Sequence, residues 1–195
     1  MHLIGNLGHP AVLIPASLGI FGFLFWSRAR RDAFAFAAAL MTCLATTGLA
    51  KLAFGACPSG IAVGIESPSG HASFSAAFYA CLASLVGTAK PIWQRVGLYG
   101  GAALLVLLIG YSRVIDGAHT KIEVNLGLLI GAASILLFCA LRRRPKPLFV
   151  RVRTIAIGSP FVLAFVVAVL LVARHWTPEP IIEAVAVYLG AYFHL

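Results

Sequence analysis

The chain has 195 residues, of which 61% are hydrophobic and only 11% charged, and its mean hydropathy is +0.96. Soluble domains carry about 25% charged residues, so this composition excludes a water-soluble protein. The net charge of +9 sits in short loops between apolar runs, where it sets topology and meets anionic lipid headgroups. No nucleic-acid-binding module is recognisable, so no nucleic-acid partner is expected.

In chain order, charge-free runs cover residues 1–27, 33–50, 67–89, 96–112, 124–141 and 154–173. Each reaches or approaches the roughly 20 residues a helix needs to cross about 30 Å of hydrocarbon. The expected fold is all-α: a polytopic membrane protein with six transmembrane helices in a bundle, near 9–26, 33–54, 70–89, 95–113, 120–141 and 154–173, forming one domain over 1–195. A β-barrel is excluded because the runs are too long and do not alternate. The first run lacks a basic n-region and a small-residue cleavage site, and reads as a retained helix. The final segment, 178–195, has an apolar end too short to span and suited to the interface. Cys43, Cys57, Cys81 and Cys139 show no CxxC spacing and read as small packing residues.

Orientation follows from the basic loops. Arg28, Arg30, Arg31, Lys90, Arg95, Arg142, Arg143, Arg144, Lys146, Arg151 and Arg153 fall on one side, 11 of the 15 basic residues, and that side is expected to be cytoplasmic. Lys51, Arg113, Lys121 and Arg174 fall elsewhere, and Glu66, Asp116, Glu123, Glu179 and Glu183 share the opposite, outward side. A bacterial inner membrane, with that side facing the periplasm or exterior, is the expected location.

Ionisable groups at membrane depth are costly and concentrate where there is function. Here Lys51 ends the second expected span, the stretch ESPSGHAS (66–73) opens the third, Arg113 ends the fourth, and His119 and Glu123 open the fifth. The topology brings all of them to one face. Ser69, Gly70 and His71 at a helix start form a natural anion site, because backbone N–H groups and the positive end of the helix dipole meet there. Arg113 can fork onto phosphate oxygens, and Lys51 adds a point charge. Two histidines allow one to attack phosphorus while the other protonates the leaving oxygen. His119 and Glu123 stand four apart and share a helix face, so the carboxylate can hold one ring nitrogen. His2, His9, His175 and His194 read as interfacial, hydrogen-bonded residues, Asp116 as a turn residue beside Gly117, and Ser73 and Ser75 as small packing residues.

The segments PSGH (68–71) and SRVIDGAHTKIE (112–123) resemble two signature motifs of the type 2 phosphatidic acid phosphatase (PAP2) superfamily, in its membrane lipid phosphatase branch. The resemblance covers residues 51–123 and the helical layout around them. It implies that His119 is the nucleophile that becomes phosphohistidine, that Glu123 orients it, and that His71 protonates the leaving group. It further implies that Arg113, Lys51, Ser69 and Gly70 hold the phosphate, that no metal or cofactor is needed, and that vanadate mimics phosphate. Glu123 stands where the family has Asp, a mild change. The family's first motif has Lys, six residues, then Arg-Pro, whereas Pro58 occupies the arginine position here. Lys121 is the candidate to replace that arginine. The implied activity is hydrolysis of a lipid phosphate or pyrophosphate, with that lipid and the surrounding membrane lipids as partners. The alternatives are a lipid phosphotransferase using the same site and a non-catalytic lipid-binding or transport protein.

Overall fold

The computed structural model describes residues 2–56 and 67–142, together with 184, 185, 187 and 188. Among these residues there is no strand. Helices follow one another as α1 (His2–Leu7), α2 (Pro10–Trp26), α3 (Arg30–Ala56), α4 (Gly70–Gly87), α5 (Ile92–Ile115) and α6 (Lys121–Leu141). The all-α expectation therefore holds. The span expected at 154–173 lies outside the described residues, as do Cys57, Pro58 and Glu66.

Among the described residues, four stretches are long and apolar enough to cross a membrane: Ile4–Trp26, Arg30–Ala56, Ile92–Ile115 and Lys121–Leu141. They make the chain a multi-pass membrane protein. The segment expected as a span at 70–89 is a helix, α4, but it is not among these four. Its 18 residues include His71, Ser73, Ser75 and Ser84, which lower its hydropathy below that of the other four. The helix packs against α2, α3, α5 and α6, and His71, Ser73 and Ser75, all buried, face protein instead of lipid. Leu104 and Leu107 on α5, and Leu129 and Leu136 on α6, are exposed, as suits a lipid-facing surface.

Close contact between α4 and α6 depends on two glycines one turn apart. A Cβ on Gly127 would stand 2.5 Å from the Ser69 carbonyl oxygen, and one on Gly131 would stand 2.7 Å from the Ser73 carbonyl oxygen. Small residues at this spacing let helix backbones approach within a bilayer. The core beneath is built from Leu13, Phe36, Cys43, Phe74, Phe78 and Phe138.

The first expected helix begins earlier than residue 9 and is broken. His9 follows the short α1 segment and caps α2, its Nδ1 accepting the Ala11 N–H at 3.1 Å with Pro10 in the first turn. Proline suits this position because its missing N–H needs no partner there. The α1 segment lies against the end of α5: Gly8 abuts Ile109, and a Cβ on Gly5 would be 3.4 Å from Ser112 Oγ. The Tyr79 hydroxyl on α4 donates to the Leu7 carbonyl at 2.9 Å.

The basic end of the bundle is latched by a buried ion pair. Arg142 Nε donates to Asp32 Oδ1 at 2.7 Å, and its other nitrogens reach the Ser84 carbonyl at 3.3 Å and Thr88 Oγ1 at 3.0 Å. Arg31 Nε donates to the Leu141 carbonyl at 3.2 Å. Arg142 is thus more than a loop charge that sets orientation.

Candidate active site

The opposite end of the bundle gathers the polar residues of the two motif segments. The turn after α5 folds Arg113 and His119 together: the His119 and Ala118 N–H groups both donate to the Arg113 carbonyl, at 3.3 and 3.1 Å. Gly117, with φ of +67°, supplies the left-handed residue that this reversal needs. The five-residue spacing between Arg113 and His119 is the length of that closed turn.

Thr120 then caps α6 in a reciprocal box. Its side chain accepts the Glu123 N–H at 3.3 Å, and Glu123 Oε2 accepts the Thr120 N–H at 2.9 Å. The same Oε2 lies 3.1 Å from His119 Nδ1. A carboxylate oxygen only accepts, so Nδ1 is the donor, and in the neutral ring Nε2 then carries the lone pair. Glu123 is 3% exposed. The box explains why a glutamate works here: three positions after the cap, its longer side chain reaches both the Thr120 N–H and the imidazole.

Glu123 also ties this segment to the other one. Its Oε1 accepts the Ser67 N–H at 3.2 Å, and its backbone carbonyl accepts the Ser69 N–H at 3.0 Å. Ser69 is fully buried and caps α4, its Oγ accepting the Ala72 N–H at 3.4 Å. Gly70 and His71 are the first two residues of that helix. Ser73, one turn on, accepts from Thr47 Oγ1 at 2.9 Å and donates to the Gly70 carbonyl at 3.1 Å. The bond from Thr47 joins the first turn of α4 to α3, a role beyond small-residue packing.

Around this frame stand the basic groups. Lys51 on α3 reaches the start of α4, where its Cε would lie 3.8 Å from a Cβ on Gly70. Arg113 Nη1 is 3.9 Å from Asp116 Oδ2, with both side chains about a quarter exposed at 22% and 26%. Arg113 Nε is buried and has no hydrogen-bond partner among the described residues. A buried donor without a partner is expensive in a protein interior, and an anion at this place would satisfy it. Lys121 is exposed at the first position of α6. Local contacts thus bring His71, Ser69, Gly70, Lys51, Arg113, His119 and Glu123 to one end of the bundle.

The structure adds one residue that the motif pattern does not single out. The His9 ring stands edge-to-face with His71, centroids 5.2 Å apart at 78°. His9 is hydrogen-bonded, as expected of it, but its neighbour is the motif histidine. The signal in the sequence is His9-Pro10, a helix start on the same face as ESPSGHAS.

A model of the PAP2 superfamily matches residues 56–147, a stretch holding His71, Arg113, His119 and Glu123. A Klebsiella pneumoniae protein described as an uncharacterized 22.5 kDa protein in the cps region is 32% identical over 152 residues, covering 74% of this chain and 71% of the relative. No solved structure matches. With both motif segments joined through Glu123, this family match and this relative, the chain belongs to the PAP2 superfamily, whose members are generally phosphatases.

Proposed function

We propose that this protein is a membrane lipid phosphatase that hydrolyses a lipid phosphate or pyrophosphate through a phosphohistidine. The observation that carries this reading is the His119 Nδ1 to Glu123 Oε2 contact of 3.1 Å, which leaves Nε2 as the nucleophilic atom. In the first step Nε2 of His119 attacks phosphorus as the P–O bond to the lipid breaks, and His71 gives its proton to the departing oxygen. In the second, water attacks phosphorus, the P–N bond breaks, and His71 takes the water's proton. Arg113, Lys51 and the start of α4 at Ser69 and Gly70 hold the non-bridging oxygens, and the charge they supply is the main catalytic demand of phosphoryl transfer.

A lipid is the favoured substrate because the site lies at the end of a membrane bundle, where a headgroup sits. The topology that goes with this reading has six spans, including one at 154–173, and puts the site on the outward face of a bacterial inner membrane. Lys121 is proposed to stand in for the first-motif arginine. The test is phosphate release from a panel of lipid phosphates, comparing wild type with His119→Ala. Release that disappears in the variant supports the reading and ranks the substrates. Release that persists in the variant, or a lipid product phosphorylated without free phosphate, contradicts it.

A further inference from the structure

We infer that His9 is a positioning residue for His71, so that the junction between α1 and α2 completes the acid side of the site. The inference rests on the phosphatase reading and deepens it.

Three observations carry it. The first is the contact itself: the His9 and His71 rings stand edge-to-face with centroids 5.2 Å apart, and His71 is only 6% exposed. The second is how His9 is held. Its Nδ1 accepts the Ala11 N–H at 3.1 Å, which fixes the ring's orientation and assigns the proton of the neutral ring to Nε2. The third is the support behind it. The α1 segment is seated on α5 where Gly8 abuts Ile109, and Tyr79 of α4 holds the Leu7 carbonyl at 2.9 Å. The backbone leading into His9 is therefore anchored to two helices, α5 and α4, that also carry Arg113 and His71.

Capping alone does not account for a histidine here. Serine, asparagine and aspartate are the preferred caps, and each would close α2 with a smaller side chain. What histidine adds is a flat, rigid wall. A general acid works only when its proton points along the leaving oxygen, and that alignment supplies its contribution to the rate. A ring free to turn about its last torsion would present its proton for only part of the time.

The test uses substitutions that keep a cap and remove the wall: His9→Asn, with His9→Ser as a second variant should the first fold poorly. Each is assayed in the full chain on two phosphate esters. A short-chain phosphatidic acid has an alkyl leaving oxygen that needs a proton; p-nitrophenyl phosphate has a leaving group that departs without one. The quantity compared is the rate of the first step, read as release of the leaving alcohol or phenol in a single turnover. The expected result is a fall of about 10-fold or more on the phosphatidic acid and less than about 2-fold on the aryl ester, with the same pattern, deeper, in His71→Ala. The thermal midpoint should match wild type. Equal losses on both esters, or no loss on either, would overturn the positioning role while leaving the phosphatase reading intact. Absence of phosphate release by wild type from both esters would overturn the reading and this inference together.

Discussion

Gly127 on α6 faces the Ser69 carbonyl so closely that a Cβ there would come within 2.5 Å of it. This contact sets the distance between the helix carrying Glu123 and the helix carrying His71. Gly127→Ala should therefore force the two apart, lowering stability by about 1–3 kcal/mol through overpacking and slowing turnover in whatever fraction stays folded. Gly100, with nothing within 4 Å of its would-be Cβ, is the control: Gly100→Ala should leave both unchanged. Thermal unfolding in detergent, followed by phosphate release, checks the pair.

Glu123 makes several acceptor contacts at once, to His119, the Thr120 N–H and the Ser67 N–H. Glu123→Gln places an NH2 group where one of these donors points. It should reduce kcat by about 10³- to 10⁴-fold, the scale seen when a triad carboxylate becomes an amide. It should also lower stability by about 1–3 kcal/mol, the cost of a buried unpaired donor. Glu123→Asp keeps the charge but is shorter, and should retain more activity than Gln. Parallel kinetics and melting curves separate the two effects.

Much of this site is legible in the amino-acid sequence. The spacing from Arg113 to His119 and the four-residue step to Glu123 are local patterns, and local patterns fold locally: one is a closed turn, the other a helix face. The break at Gly8-His9 is hidden because the apolar run continues straight through it, and hydropathy does not register a histidine cap. Asp32 and Arg142 stand 110 positions apart, and only packing of α3 against α6 brings them together. That the serines of α4 point at neighbouring helices is likewise tertiary information, which charge-free length does not reveal. Gly127 and Gly131 show a small-residue spacing along the chain, but the partner helix they admit is tertiary information.

Arg113 Nε is a buried donor with no partner among the described residues, so an oxyanion in the site should bind through it. Arg113→Lys should weaken vanadate inhibition by about 10-fold or more, because a point charge cannot reproduce a guanidinium fork. Lys121→Ala should raise KM for the lipid phosphate if Lys121 replaces the first-motif arginine. An unchanged KM and unchanged vanadate affinity would remove Lys121 from the site. Titrating vanadate against each variant measures both.

The buried Asp32–Arg142 pair is at the far end of the bundle, with side chains 11% and 4% exposed. Asp32→Ala leaves a buried guanidinium without its carboxylate and should cost about 3–5 kcal/mol. The double change Asp32→Ala with Arg142→Leu should recover a large part of that loss. Turnover per folded molecule should stay near wild type in the double variant, since no site residue is touched. Denaturant midpoints and active-site titration check both statements.

The phosphatase reading turns on a bond between His119 Nε2 and phosphorus. The most direct measurement is a single-turnover reaction with a ³²P-labelled lipid phosphate, quenched in alkali, where phosphohistidine survives, followed by peptide mapping. The expected result is label on the peptide containing His119 in wild type, more of it in His71→Ala when an aryl phosphate with a good leaving group is used, and none in His119→Ala. Phosphate release by wild type without any label on that peptide, or label persisting in His119→Ala, would contradict it.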